Sequence, residues 1–79
     1  MKNETKDSEY YETNDFYLGC YLKSRGMKIS HIKRDGRRST FVFEDNPERK
    51  ELIQAFYNDE FVNGFVHAVQ DLKAAVFNM

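Results

Sequence analysis

The stretch Met27-Lys28-Ile29-Ser30-His31-Ile32-Lys33-Arg34-Asp35-Gly36-Arg37-Arg38-Ser39-Thr40-Phe41-Val42-Phe43-Glu44 decides how this chain folds. Two runs, Met27 to Lys33 and Arg38 to Glu44, alternate around Asp35-Gly36, the pattern of a β-hairpin. A two-residue Asp-Gly loop would pair Arg34 with Arg37 and drop Phe41 and Phe43 onto the face of Lys28 and Ser30. A one-residue slip moves a whole side-chain set across the sheet. A three-residue loop, Arg34-Asp35-Gly36, instead pairs Lys33 with Arg37 and sets Met27 opposite Phe43, Ile29 opposite Phe41 and His31 opposite Ser39. That register gives one apolar face and predicts a type I turn with Gly36 in the left-handed position of a G1 bulge. Its cost is Ile32 and Val42, which fall on the outer face.

Working outward, Asp15 to Arg25 has helical spacing in Leu18, Tyr21, Leu22 and Arg25, with Tyr17 widening the face. Asn14 or Thr13 is placed to cap it, and Gly26 to end it in the left-handed conformation. Gly19 costs about 1 kcal/mol against alanine in mid-helix, so Gly19-Cys20 marks a close approach by another element. After the hairpin, Asn46-Pro47-Glu48 starts a second helix with a cap, a first-turn proline and an acid. Leu52, Ile53, Phe56 and Tyr57 form its stripe, and Asn58-Asp59-Glu60 breaks it. A third helix is expected over Asn63 to Phe77. There Val62, Phe65, Val69, Leu72 and Val76 step by three, four, three and four, widened by Val66, Ala68 and Ala75. The expected architecture is an α+β domain in the order helix, β-hairpin, helix, helix, with a two-stranded antiparallel sheet packed on three helices. Order is expected from Asn14 onward, one domain over 14–79. Residues 1–13, charged and poor in apolar side chains, read as a flexible acidic lead.

Parts of this pattern resemble a family of small bacterial domains of unknown function. Its members share "D-x-Y-L-A-A-Y-L-x-x-x-G-F", a hairpin ending in "F-x-F-E-D", and a closing "L-K" helix. The matching pieces here are Asp15 to Leu22 with Gly26, Phe41-Val42-Phe43-Glu44-Asp45, and Asp71 to Phe77. Gly19-Cys20 stands where that family has alanines, and Met27 replaces an aromatic. The resemblance implies a fold and carries no catalytic or binding residue.

The whole chain has 79 residues, 12 basic and 13 acidic side chains and a net charge of −1, with one cysteine and one proline. A single cysteine excludes an internal disulfide framework. The longest uncharged run, Phe61 to Gln70, is too short to span a bilayer, and the polar start lacks the apolar stretch of a signal peptide. A cytoplasmic domain is the expectation. Cys20 reads as a small buried hydrophobe, because a sulfur nucleophile needs a base beside it. His31, on the apolar side of the hairpin, and His67, beside the last seam, lack the partners of a metal site. Glu44-Asp45 reads as a helix-start acid pair and Asp59-Glu60 as a loop. No phosphate-cradling glycine loop is present. The expectation is a non-enzymatic domain without metal, cofactor or small-molecule substrate.

Charge is the informative signal. From Lys23 to Arg38 there are seven basic side chains and one acid, a net of +6, whereas Glu44 to Glu60 carries −4. Lys33, Arg34, Arg37 and Arg38 crowd the hairpin tip, with Lys28 on the same segment. These five are the candidate contacts to a DNA or RNA phosphate backbone, bound weakly and with little sequence preference. The alternative is a protein-interaction or homodimerisation module with no nucleic-acid role. Its candidate interface is Phe61, Val62, Val76 and Phe77, since twelve Phe and Tyr exceed what so short a chain needs for an ordinary core.

Overall fold

A computed structural model describes residues 9–77. The elements run β1 (Tyr10–Thr13), α1 (Phe16–Ser24), β2 (Ile29–Asp35), β3 (Arg38–Glu44), α2 (Arg49–Asn58) and α3 (Glu60–Phe77). The sheet has three antiparallel strands in the order β1-β3-β2, not the two expected. Tyr10 to Thr13, assigned above to a flexible lead, forms the extra strand; the rest of that lead, residues 1–8, lies outside the described residues. The strand forms because β3 would otherwise present a bare backbone edge beside the core. Tyr11 pairs with Phe43 and Thr13 with Phe41, so both join the inner face. The Asn14 amide then ties the β1–α1 corner to β3, donating to the Ser39 carbonyl at 3.0 Å and to Thr40 Oγ1 at 2.7 Å.

The hairpin corrects the expected register. Its loop is the two residues Gly36-Arg37, and Asp35 pairs with Arg38, Lys33 with Thr40 and Ile32 with Phe41. Gly36 has φ +64° and no non-glycine residue described has positive φ, the signature of a II′ turn rather than a type I turn with a bulge. The irregularity lies instead within β2. Ile29 pairs with Phe43 but His31 with Val42, leaving Ser30 as an extra residue. This bulge reverses the alternation midway through the strand. Ile29 and Ile32 therefore both share the face of Phe41 and Phe43, while His31 turns to the outer face with Val42. A regular ladder could not place both isoleucines inside, which is why the expected register had to strand Ile32.

Asp15, rather than Asn14 or Thr13, caps α1: its Oδ1 accepts from the backbone N–H groups of Tyr17 and Leu18 at 3.0 and 3.1 Å. Gly26, at φ +103°, closes the other end as expected. Met27 N–H reaches the Leu22 carbonyl and Gly26 N–H the Lys23 carbonyl, the paired bonds of a Schellman motif, with Leu22 and Met27 both buried. Gly19 faces the sheet, and a Cβ there would sit 3.6 Å from the Phe41 ring and 4.0 Å from that of Phe43. The helix thus packs on the sheet at Gly19, but at ordinary van der Waals distance, so the contact does not require a glycine. Leu18, Leu22, Met27, Phe43, Leu52 and Phe56 make the core, with Tyr11, Tyr17, Tyr21, Ile29, Phe41, Ile53 and Val62 packed around it.

The entry to α2 also differs in detail. Asn46 Oδ1 accepts from Glu48 N–H at 2.8 Å and the Asn46 carbonyl accepts from Arg49 N–H, so Asn46-Pro47-Glu48 is a turn and α2 begins after it. Asp45 and Arg49 brace this corner through two contacts of 3.0 and 3.1 Å, and the Arg49 guanidinium lies 4.5 Å from the Tyr11 ring centroid. One arginine thus joins β1, the end of β3 and α2.

Candidate interaction surfaces

The largest departure from expectation is α3. It starts at Glu60 rather than Asn63, and none of its residues is fully buried. Val62 packs on the core, and Val66 and Val69 are half-buried, but Phe65 is 63%, Leu72 69% and Val76 65% exposed. Phe61 and Phe77 are more open still. The core is therefore built from α1, α2 and the sheet, not from three helices. The hydrophobic seam read from the sequence is real in spacing, but all of it beyond Val69 is exposed. At 1.5 Å per residue α3 is about 27 Å long, in a molecule 55 × 32 × 16 Å in extent.

A defined joint sets the direction of α3. Asp59 is the single residue between the helices, and its Oδ1 accepts from Val62 N–H at 3.0 Å, capping α3. The Asn63 side-chain amide donates back to the Phe56 carbonyl at 2.9 Å and the Asp59 carbonyl at 2.8 Å. These bonds satisfy carbonyls at the end of α2 that the helix itself leaves open. Of the four interface residues expected, the structure leaves Phe61, Val76 and Phe77 in solvent and places Val62 against the core. Phe65 and Leu72 belong with the exposed set. Their three-four spacing was visible in the sequence, but spacing alone does not say whether the cover comes from the same chain.

The basic residues are distributed by the register. Lys33 and Arg38 fall on the outer face, Arg34 on the inner-facing side beyond the helices, and Arg37 in the turn. Lys33 Nζ lies 2.9 Å from Glu12 Oε2, a bond that crosses β3 from β2 to β1. Lys28 precedes β2, at the other end of the strand from the tip. Arg34, Arg37 and Arg38 are exposed, without a carboxylate partner among the described residues. Asn14, Arg37, Arg38 and Ser39 line a shallow polar depression beside them.

Other candidates separate. Cys20 is exposed rather than buried, on the wall of an apolar cleft of about 260 Å³ between α1 and the hairpin, also lined by Phe16, Lys23, Ile32 and Phe41. His31 is on the opposite side of the sheet, its Nδ1 3.0 Å from Ser30 Oγ, and His67 is exposed on α3. No group of three His, Cys, Asp or Glu side chains among the described residues is arranged to hold a metal. The perturbed ionisations sit at the bracing corner. Its hydrogen bonds to Arg49 hold the Asp45 carboxyl below the usual range, and the same contact raises the Arg49 guanidinium. Burial pushes the Tyr11 phenol up, against the nearby Arg49 charge. Asp45 thus has a bracing role, and Asp59 a capping one.

A three-stranded sheet with two helices on one face and a third projecting from them defines a small α+β domain. The chain belongs to the family described as domain of unknown function DUF5659, whose model covers residues 8–78. It is also similar to the BOS complex subunit NCLN of Gallus gallus, with 39% identity over 51 residues, or 65% of this chain and 8% of that protein. The chain thus matches less than a tenth of that relative's length. No solved structure matches it. No helix among the described residues is long and apolar enough to cross a membrane.

Proposed function

We propose that this domain is a protein-interaction module whose contact surface is the outward seam of α3. The observation that carries this reading is the exposure of Phe65, Leu72 and Val76 on a helix anchored at its base by Asp59 and Asn63. Taking roughly 150–250 Å² per aromatic side chain, the exposed parts of Phe61 and Phe65 with those of Leu72, Val76 and the flanking alanines approach about 600 Å². That is the upper end of the largest apolar patch on an ordinary monomer, roughly 300–600 Å². Photo-crosslinking in cells tests it, with benzoylphenylalanine placed at Leu72 on the seam or at Asp71 on the polar side. Adducts from the seam position alone are expected; equal or absent adducts from the two positions refute the module.

A second reading rests on the three guanidiniums at the hairpin tip, which have no carboxylate partner among the described residues and suit phosphate oxygens. It predicts weak, salt-sensitive binding of duplex DNA or RNA. Fluorescence anisotropy across a salt series, comparing wild type with Arg34, Arg37 and Arg38 changed to alanine, tests it. Identical curves eliminate a nucleic-acid role for the tip.

A further inference from the structure

We infer that the partner of α3 is a second copy of the same helix, laid antiparallel in a two-fold dimer. This inference rests on the interaction-module reading above and names its occupant. The seam is a heptad pattern with β-branched valines at one core position (Val62, Val69, Val76) and Phe65 and Leu72 at the other. An antiparallel pair with its dyad between Val69 and Leu72 sets Val69 against the partner's Leu72 and Phe65 against the partner's Val76, so every layer joins a valine to a larger side chain. The flanking row holds Ala68 and Ala75, which face one another across the same dyad and let the backbones approach. No charge lies on the seam; Lys73 flanks it and Asp71 lies on the opposite face of the helix.

Orientation follows from where the body sits. The core is at the N-terminal end of α3, where Val62 packs against it. A parallel pair would press two bodies together at that end, whereas an antiparallel pair sends them to opposite ends and opposes the helix dipoles. Phe61 lies beyond the paired stretch, so the two copies together bury somewhat less than about 1,200 Å², the size of a weak, reversible interface. An isologous contact also closes, so assembly stops at two.

Sedimentation equilibrium of the purified chain from low to high micromolar concentration, with thermal unfolding of Leu72→Asp, provides the test. The expected results are twice the 9.4 kDa chain mass for wild type and at least ~100-fold weaker association for the variant, since each dimer loses two leucines and buries two charges. Direction is read in a Cys20→Ser background with oxidised glutathione. Phe65→Cys mixed with Val76→Cys should form the heterodisulfide, while neither alone should crosslink, because like positions at Phe65 lie about 16 Å apart along the axis. Crosslinking of each variant with itself overturns the antiparallel arrangement. A monomeric wild type whose midpoint is unmoved by Leu72→Asp overturns the second copy and leaves the seam open to another protein. A monomer strongly destabilised by the same change means the seam is covered within the chain, and overturns the module reading as well.

Discussion

Replacing Asp45 by Asn removes one charge from the corner that joins β1, β3 and α2, and keeps its shape. The carboxylate faces Arg49 through contacts of 3.0 and 3.1 Å, with side-chain exposures of 10% for Asp45 and 26% for Arg49. Charge-assisted hydrogen bonds contribute about 1.5–3 kcal/mol when well shielded. Partial solvation of the guanidinium and the amide oxygen that Asn retains reduce this, so a loss of about 1–2 kcal/mol is expected. For a domain of this size that lowers the unfolding midpoint by roughly 5–15 °C. The pH dependence has a definite sign. The folded Asp45 carboxyl ionises below its unfolded value, so its contribution is fully present above about pH 4–5 and is lost as pH falls through the folded value. Urea unfolding of both proteins from pH 7 to pH 2.5 measures this. The gap between them should be constant near neutrality and close on acidification. A gap that widens in acid, or is absent at pH 7, would show that the corner is not an ion-paired brace.

Gly19→Ala should raise stability by about 1 kcal/mol in denaturant titration, because helix propensity improves and the new methyl meets Phe41 at an ordinary 3.6 Å; destabilisation would mean α1 lies closer to the sheet. Asp15→Ala should lower stability by about 1 kcal/mol through the loss of the α1 cap, and an unchanged midpoint would return the cap to Asn14 or Thr13. A chain starting at Asn14 should lose cooperative unfolding in circular dichroism, since it lacks β1 and the Glu12 and Tyr11 contacts across the sheet; a stable truncated domain would restore the flexible-lead description.

Much of the helical framework was legible because its signals are local. Gly26 ends α1 where a left-handed residue is needed, Gly19 marks its contact with the sheet, and Asn46-Pro47 opens the turn into α2. What escaped was set by non-local demands. Tyr10 to Thr13 is short and carries the charge of Glu12, and becomes a strand only because β3 offers it an edge. The hairpin turn slipped from Arg34-Asp35-Gly36 to Gly36-Arg37 because the bulge at Ser30 lets both Ile29 and Ile32 face inward, an option that strict alternation does not contain. The α3 periodicity was read correctly, yet period reports an apolar face and is silent on what covers it. The cations were likewise visible as a run, but only the register shows Lys33 bound to Glu12 and Lys28 far from the tip.

Isotope-filtered nuclear Overhauser spectroscopy on a mixture of labelled and unlabelled chains addresses the α3 surface at atomic range. Contacts between the Phe65 ring of one chain and the Val76 methyls of the other are predicted, with none from Leu72 to Leu22 or Met27 of its own chain. Leu72 contacts to those core residues, with no intermolecular signal, would place α3 back on its own body and contradict the account.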